Sequence, residues 1–201
     1  MKPTAQDLST TAIHDRILDA AAACLVESGY GTRLHAVIAE RAGLSRPTVY
    51  KYVGDQAEIV AALFQREVTR FFAHLEPILL AHDRIHDGFV ECVVFSVGYA
   101  RRHRVLQTGL QDEPAVVLPG FTVHARPMID RGAEFLVPHF ERMVAAEPSS
   151  TIDPHIASEW AFRLVASLVT TGRRDAGDLA DDDAVRAFVS GLLAIGTPQP
   201  V

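Results

Sequence analysis

The sequence predicts an all-α protein in two parts: an N-terminal three-helix helix-turn-helix domain and a larger helical domain behind it, about nine helices in total. Three observations predict it. Apolar residues recur at helical spacing through most of the 201 residues. The punctuation is helical, with Ser45 and Asp153 placed as caps and Pro47 and Pro154 in first turns. After Pro77 the composition becomes more apolar and the patterned segments lengthen. The domains read as 11–54 and 77–201, joined by a helix over about 55–76.

The first helix runs from Thr11 to Ser28 behind a frayed terminus, burying Ile13, Ile17, Leu18, Ala21, Cys24 and Leu25, and Gly29-Tyr30-Gly31 stops it. Thr32 caps the second helix, which ends at Ala42 with Leu34, Val37 and Ile38 inward. Gly43 suits the left-handed exit of a tight turn, Leu44 fills the gap between helices, and Ser45 caps the third helix. On that third helix Leu44, Val49 and Val53 point inward. The fourth helix starts after Gly54-Asp55, packs Ile59, Ala62, Leu63, Phe64, Val68, Phe71, Phe72 and Leu75, and ends at Pro77. About 20 residues of helix span about 30 Å, enough for a stiff lever.

The fifth helix, Asp83 to Arg102, is apolar on nearly every side, and Arg101, Arg102 and Arg104 suit the negative end of its dipole. A short sixth helix covers Arg104 to Gln111, and Glu113 to Gly120 is a loop. The seventh spans Phe121 to Ala146 and contains Pro127 and Pro138, so it either kinks or starts near Pro127. The eighth runs from Pro154 to Thr171. The ninth follows Asp181-Asp182-Asp183 and stops at Gly196. Both closing helices carry apolar residues beyond one stripe, which points to a partner.

Composition narrows the function. Nearly half the chain is hydrophobic, so a sizeable core forms. Cys24 and Cys92 lie far apart in apolar helical patterns and read as buried thiols of a reducing cytoplasm, not as a disulfide or metal pair. No signal peptide and no membrane span is visible. The net charge of −6 argues against a general nucleic-acid binder. Its distribution does not: residues 33–52 hold Arg33, Arg41, Arg46 and Lys51 against Glu40 alone, whereas 57–201 hold 13 basic and 19 acidic side chains.

The outer face of the third helix carries Arg46, Pro47, Thr48, Tyr50, Lys51 and Tyr52. Arginine suits guanine O6 and N7. Thr and Pro suit thymine methyls, and Tyr hydroxyls and Lys suit phosphates. In a helix-turn-helix the N-terminal residues of the second helix reach base edges. The second helix offers its free amides, Thr32 and Arg33 to a phosphate.

Gly29-Tyr30 followed by Ile38-Ala39-x-x-Ala42-Gly43-Leu44-Ser45-x-Pro47-Thr48-Val49-Tyr50-x-Tyr52-Val53 resembles the N-terminal DNA-binding domain of the TetR-type transcriptional regulators, over about residues 11 to 70. The spacing between Tyr30 and Ala39 is one residue out of step with the family, which leaves Arg33, His35 or Ala36 for its base-contact place on the second helix. Many relatives carry a Lys near the start of the fourth helix; this chain has Gln56 there. The resemblance implies Thr32, Arg33, Ser45, Arg46, Pro47, Thr48, Tyr50, Lys51, Tyr52 and Gln56 at double-stranded DNA. It implies a homodimer through the last two helices, with Ile156, Trp160, Leu164, Leu168, Phe188, Val189 and Leu192 at the interface. It also implies a cavity that takes a small apolar or aromatic effector. The candidate lining is Phe89, Val93, Phe95, Tyr99, Met128, Phe135, His139 and Trp160. Repression of a palindromic operator is the expected mode, with no catalytic residue, no metal and no cofactor.

Two other classes compete. His82-x-x-x-His86 with Asp83 and Asp87 has metal-compatible spacing, so an all-helical metal protein or enzyme is the first. It lacks the Glu of an H-E-x-x-H motif, and no phosphate loop or nucleophile elbow accompanies it. A ligand-independent architectural DNA binder is the second, and predicts salt-sensitive but sequence-blind binding.

Overall fold

The computed structural model describes residues 5–29, 34–147, 149–171 and 181–195. They form ten α-helices: α1 (Ala5–Ser28), α2 (Leu34–Arg41), α3 (Arg46–Val53), α4 (Gln56–Leu80), α5 (Ile85–Arg102), α6 (Arg104–Asp112), α7 (Pro114–Phe121), α8 (Arg126–Ala146), α9 (Pro154–Thr170) and α10 (Asp182–Ala194). No strand occurs among the described residues. The all-α expectation holds, and the tenth helix is α7, where the sequence reading placed a loop. Pro114 stands at its first position, where a missing N–H costs nothing, and Ala115, Val116, Val117 and Leu118 continue the helix.

Three other boundaries differ from expectation. Helix α1 begins at Ala5 rather than Thr11. Helix α4 runs through Pro77 to Leu80. Pro77 is exposed and its φ is helical, so it forfeits one backbone bond while Leu75 and Leu79 on either side stay buried. Helix α8 starts at Arg126 with Pro127 in its first turn, which settles the choice between a kink and a start; Pro138 lies inside it on the exposed side. Phe121 and Ala125 therefore belong to the end of α7 and the N-cap of α8.

The chain divides into two units. Residues up to Arg70 together with Arg104–Val116 make the first; Phe71–His103 and Val117 onward make the second. The sequence reading ended the first domain at 54, joined it on through 55–76 and began the second at 77, and did not foresee that 104–116 returns to the first unit. Val105 explains the return, since it packs on the first core.

That first core joins Ile17, Leu18, Ala21, Cys24 and Leu25 of α1 to Leu34 and Ile38 of α2, Val49 of α3, and Ile59 and Leu63 of α4. Val37, expected inward, is exposed instead. Arg66 of α4 ties back to α1, donating to Asp19 Oδ1 at 2.8 Å.

In the second unit α5 is the central element. Phe89, Val90, Cys92, Val93, Val94 and Val97 are all buried, as its all-round apolar pattern predicts. Around it pack Leu75 and Leu79 of α4, Leu136, Phe140 and Met143 of α8, Ala157 and Ala161 of α9, and Val185 and Val189 of α10. At Gly88 an added Cβ would lie 2.4 Å from Met143 Sδ, so the buried Met143 side chain of α8 would have to shift. The expected cap at Asp153 forms, and Asp181 adds one that the sequence reading did not assign. Asp153 Oδ1 accepts from His155 N at 2.8 Å, and Asp181 Oδ1 accepts from Ala184 N at 2.9 Å. Burial pushes the Cys92 thiol up to about 12, so it is an inert core group.

Candidate nucleic-acid interface

The turn between α2 and α3 is built from local chemistry. Gly43 has φ +60°, a left-handed conformation glycine reaches without a steric penalty. Leu44 N donates back to Ala39 O at 2.9 Å, closing the turn. The guanidinium of Arg16 lies against Gly43, where an added Cβ would come within 2.6 Å of Nη2. Ser45 Oγ then caps α3, accepting from Thr48 N at 3.2 Å, and its hydroxyl pairs with that of Thr48 at 2.7 Å. At the far end Gly54 has φ +88° and its N–H donates to Tyr50 O. A reciprocal cap follows at once. Asp55 Oδ1 accepts from Glu58 N at 2.9 Å, and Glu58 Oε2 accepts from Asp55 N at 2.7 Å. The orientation of α3 is thus set at both ends.

On α3, Val49 is fully buried, and Leu44 and Val53 pack half-buried on the same core. Arg46, Pro47, Tyr50 and Lys51 are exposed, Tyr50 by 53%. Among the described residues neither Arg46 nor Lys51 has an ion-pair partner. Both cations remain available to phosphate or base. Tyr52 departs from the expectation. It is half-buried and packs on the first core, because it lies three residues after Val49 and one before Val53, on the side α3 turns inward. Its ring instead supports Lys51, whose Nζ sits 5.5 Å from the Tyr52 centroid. Thr48 is half-buried beside Ser45, and Gln56 is half-buried at the first position of α4. Thr32 and Arg33 lie outside the described residues.

Two further groups alter the charge picture. Arg41, part of the expected basic face, is held by Glu27 through two hydrogen bonds of 2.9 and 2.6 Å. That guanidinium keeps the Glu27 carboxyl below its usual range. His35 stacks on Tyr50 with centroids 4.0 Å apart and planes 7° from parallel, a contact the sequence reading missed.

In the second unit the expected effector residues separate into groups. Phe89 and Val93 are core. Phe95, Tyr99, Phe135 and His139 are half-buried and line an aromatic run with Phe71 and Phe72: Phe72–Phe135 4.3 Å, Phe71–Tyr99 5.3 Å, Phe135–His139 5.2 Å between centroids. Burial holds the His139 imidazole below its ordinary value, so it is neutral near pH 7. Met128 is half-buried on α8. Trp160 corrects the expectation: it is 59% exposed, so it lines no interior of its own protomer. A groove of about 530 Å³ runs between the α7–α8 turn and α9, floored by Phe121, Ile129, Phe162 and Ala166; none of the expected effector residues lines it.

The expected dimer residues also divide. Ile156 and Trp160 on α9 and Phe188 and Leu192 on α10 are exposed, one turn apart on each helix, and Ile195 extends the α10 row. Leu164 and Leu168 are half-buried against their own core. Val189 corrects the reading, because it is fully buried under α5 and has no surface to offer a partner. As for the metal alternative, His86 Nδ1 sits 3.1 Å from Asp87 Oδ1. No group of three His, Cys, Asp or Glu is placed to hold a metal ion among the described residues. None of their helices is long and apolar enough to cross a membrane.

Comparison with known proteins bears on this geometry. Residues 17–63, which hold the whole turn and α3, match the family described as bacterial regulatory proteins, tetR family. Over 53 residues the chain is 45% identical to an uncharacterized HTH-type transcriptional regulator of Mycobacterium tuberculosis. That match covers 26% of this chain and 28% of the relative, so the chain spans under a third of the length of the curated relatives it matches. Among solved structures, a TetR-family transcriptional regulator from Pectobacterium atrosepticum is similar with a TM-score of 0.69 at 17% identity, covering 98% of this chain and all of that one. The fatty acid degradation regulator FadR from Bacillus halodurans is similar with a TM-score of 0.65 at 20% identity, covering 92% of this chain and all of that one. At these identities the likeness beyond residues 17–63 is one of fold.

Proposed function

We propose that this chain, a member of the TetR family of bacterial regulatory proteins, is a homodimeric DNA-binding repressor of transcription that a small apolar or aromatic effector releases from a palindromic operator. The reading rests on one observation above all. A helix capped at both ends presents Arg46, Pro47, Tyr50 and Lys51 outward while its apolar side is locked on the core. Such a face reads base edges through Arg46 and grips phosphates through Tyr50 and Lys51. One face alone reads too few base pairs, and a two-fold pair reads a palindrome with half-sites about 34–36 Å apart or a multiple.

The dimer reading is supported by the exposed apolar residues of α9 and α10, with Ile156, Trp160, Phe188 and Leu192 as its centre. The effector reading is supported by the aromatic run of Phe95, Tyr99, Phe135 and His139, where one neutral imidazole is the polar handle. Helix α4 carries the chain from the first unit into the second and brings Phe71 and Phe72 to that run, so it is the element an effector displaces. To move a 1:99 equilibrium to 99:1 the effector must favour the released state by about 5.5 kcal/mol. The site of action is the cytoplasm, where operator DNA is reached.

The test is selection of DNA by the full chain from sheared genomic fragments. Recovery of one palindromic class supports the reading, and salt-sensitive capture of all fragments alike favours an architectural binder instead. On the selected site Arg46→Ala is expected to relax preference at one base pair by about 1–3 kcal/mol, and Lys51→Ala to weaken all sequences equally.

A further inference from the structure

We propose that His35 is a positioning residue for Tyr50: from α2 it holds the tyrosine ring in the one orientation in which α3 offers it to a DNA phosphate. The inference rests on the DNA-binding reading above and extends it to a residue on the other helix of the motif. The stack is close and nearly parallel, 4.0 Å between centroids and 7° between planes. Tyr50 is 53% exposed, and the imidazole covers one face of its ring. An exposed tyrosine without such a wall samples several rotamers, and ordering it on binding lowers affinity.

The chemistry of His35 narrows its role. Both ring nitrogens are buried and have no hydrogen-bond partner among the described residues. It therefore has no polar atom to offer a base edge, and of the three residues the sequence left open for that place it acts only through another side chain. Burying two unpaired nitrogens is unfavourable. An aliphatic residue would fill the same space without that cost, but has no flat face to lie parallel to a phenol ring. What the imidazole contributes is its plane.

The test uses the full chain and a DNA fragment the wild type selects. His35→Ala is expected to weaken binding about 5-fold, mainly through faster dissociation, as loss of one aromatic pair implies. His35→Phe keeps a flat partner and is expected to bind within about 2-fold of wild type. In the Tyr50→Ala background, His35→Ala is expected to add less than about 2-fold, because the two act as a unit. A merely structural histidine would give additive losses and no rescue by Phe, and either result overturns the inference. Nuclear magnetic resonance of the free protein gives a readout that needs no DNA. The Tyr50 ring protons should carry a ring-current shift that His35→Ala removes and His35→Phe retains; no such shift in the wild type overturns the inference. Should the wild type select no DNA at all, the DNA-binding reading fails and this role for His35 falls with it. Should it bind, with Tyr50→Ala weakening it and His35→Ala not, the positioning role alone fails.

Discussion

The two units carry their surfaces in different ways. In the first, the ends of α3 are set by residues within a few positions of it: Gly43, Ser45, Thr48, Gly54, and the Asp55–Glu58 pair. In the second, the exposed rows of α9 and α10 and the aromatic run depend on how four helices pack around α5. A local device fails locally when one residue changes. A packed device fails as a whole. That contrast predicts a graded set of responses.

The largest concerns the packed unit. Phe140 is fully buried against Phe89, 6.3 Å between centroids. Phe140→Ala should destabilise the chain by about 3–5 kcal/mol, the cost of transfer plus a residual cavity. Hydrogen exchange would show protection lost along α5, α8 and α10, while α1 to α3 keep theirs if the first core stands alone. Equal loss in both units would break the comparison. Next comes the apolar row. Trp160 is exposed and large, the profile of an interface anchor, so Trp160→Ala should weaken self-association by about 2 kcal/mol, nearly 30-fold, in sedimentation. Folding should change less, since the residue is 59% exposed in its own protomer. A wild-type monomer at micromolar concentration would remove the interface altogether.

The local unit responds less. Gly54→Ala should cost about 1–2 kcal/mol in thermal unfolding. The residue has φ +88°, and the new Cβ would meet the Glu58 carboxylate. That carboxylate can swing away only by releasing Asp55 N, so the strain and the broken cap arrive together. The sharper readout is DNA affinity, which should fall more than stability because the exit of α3 sets its orientation. A stability loss with unchanged affinity would show that the cap does not aim the helix.

These differences explain what the sequence disclosed. Caps, glycines and first-turn prolines act over three or four residues, so Ser45, Asp153, Pro47 and Pro154 could be read directly. The Asp55-x-x-Glu58 box was equally visible as a pattern and was missed. Pro77, Pro119 and Pro138 misled or left matters open, because a single proline ends a helix only where packing does not carry the helix past it. Phase was harder than period. The family resemblance placed Phe188 and Val189 together at an interface, yet the packing of α10 on α5 sends Val189 inward and Phe188 out. Tyr52 failed likewise, since a tyrosine beside a lysine looks like surface until the helix phase places it near Val49. The His35–Tyr50 stack joins residues on two helices, and no period within either helix reports it.

The smallest expected effect compares one carboxylate in each unit. Arg186 of α10 reaches Glu91 of α5 through two hydrogen bonds and holds its carboxyl below the usual glutamate range. A lowered carboxyl stabilises the fold above its unfolded value of about 4.3, and the contribution is lost as pH falls through the lower folded value. The pair is partly exposed, so screening keeps its worth near or below about 1 kcal/mol. Glu27 in the first unit is also held low by Arg41, but from an exposed surface position. Acid unfolding of Glu91→Gln should therefore be flatter below about pH 5 than that of wild type, and Glu27→Gln should lie closer to wild type. The ranking follows from geometry, because the Glu91 pair bridges two helices of one packed core whereas the Glu27 pair lies over the outside of another. If Glu27→Gln flattened the acid limb more, the surface of the first unit would be held together by charge as well as by its caps.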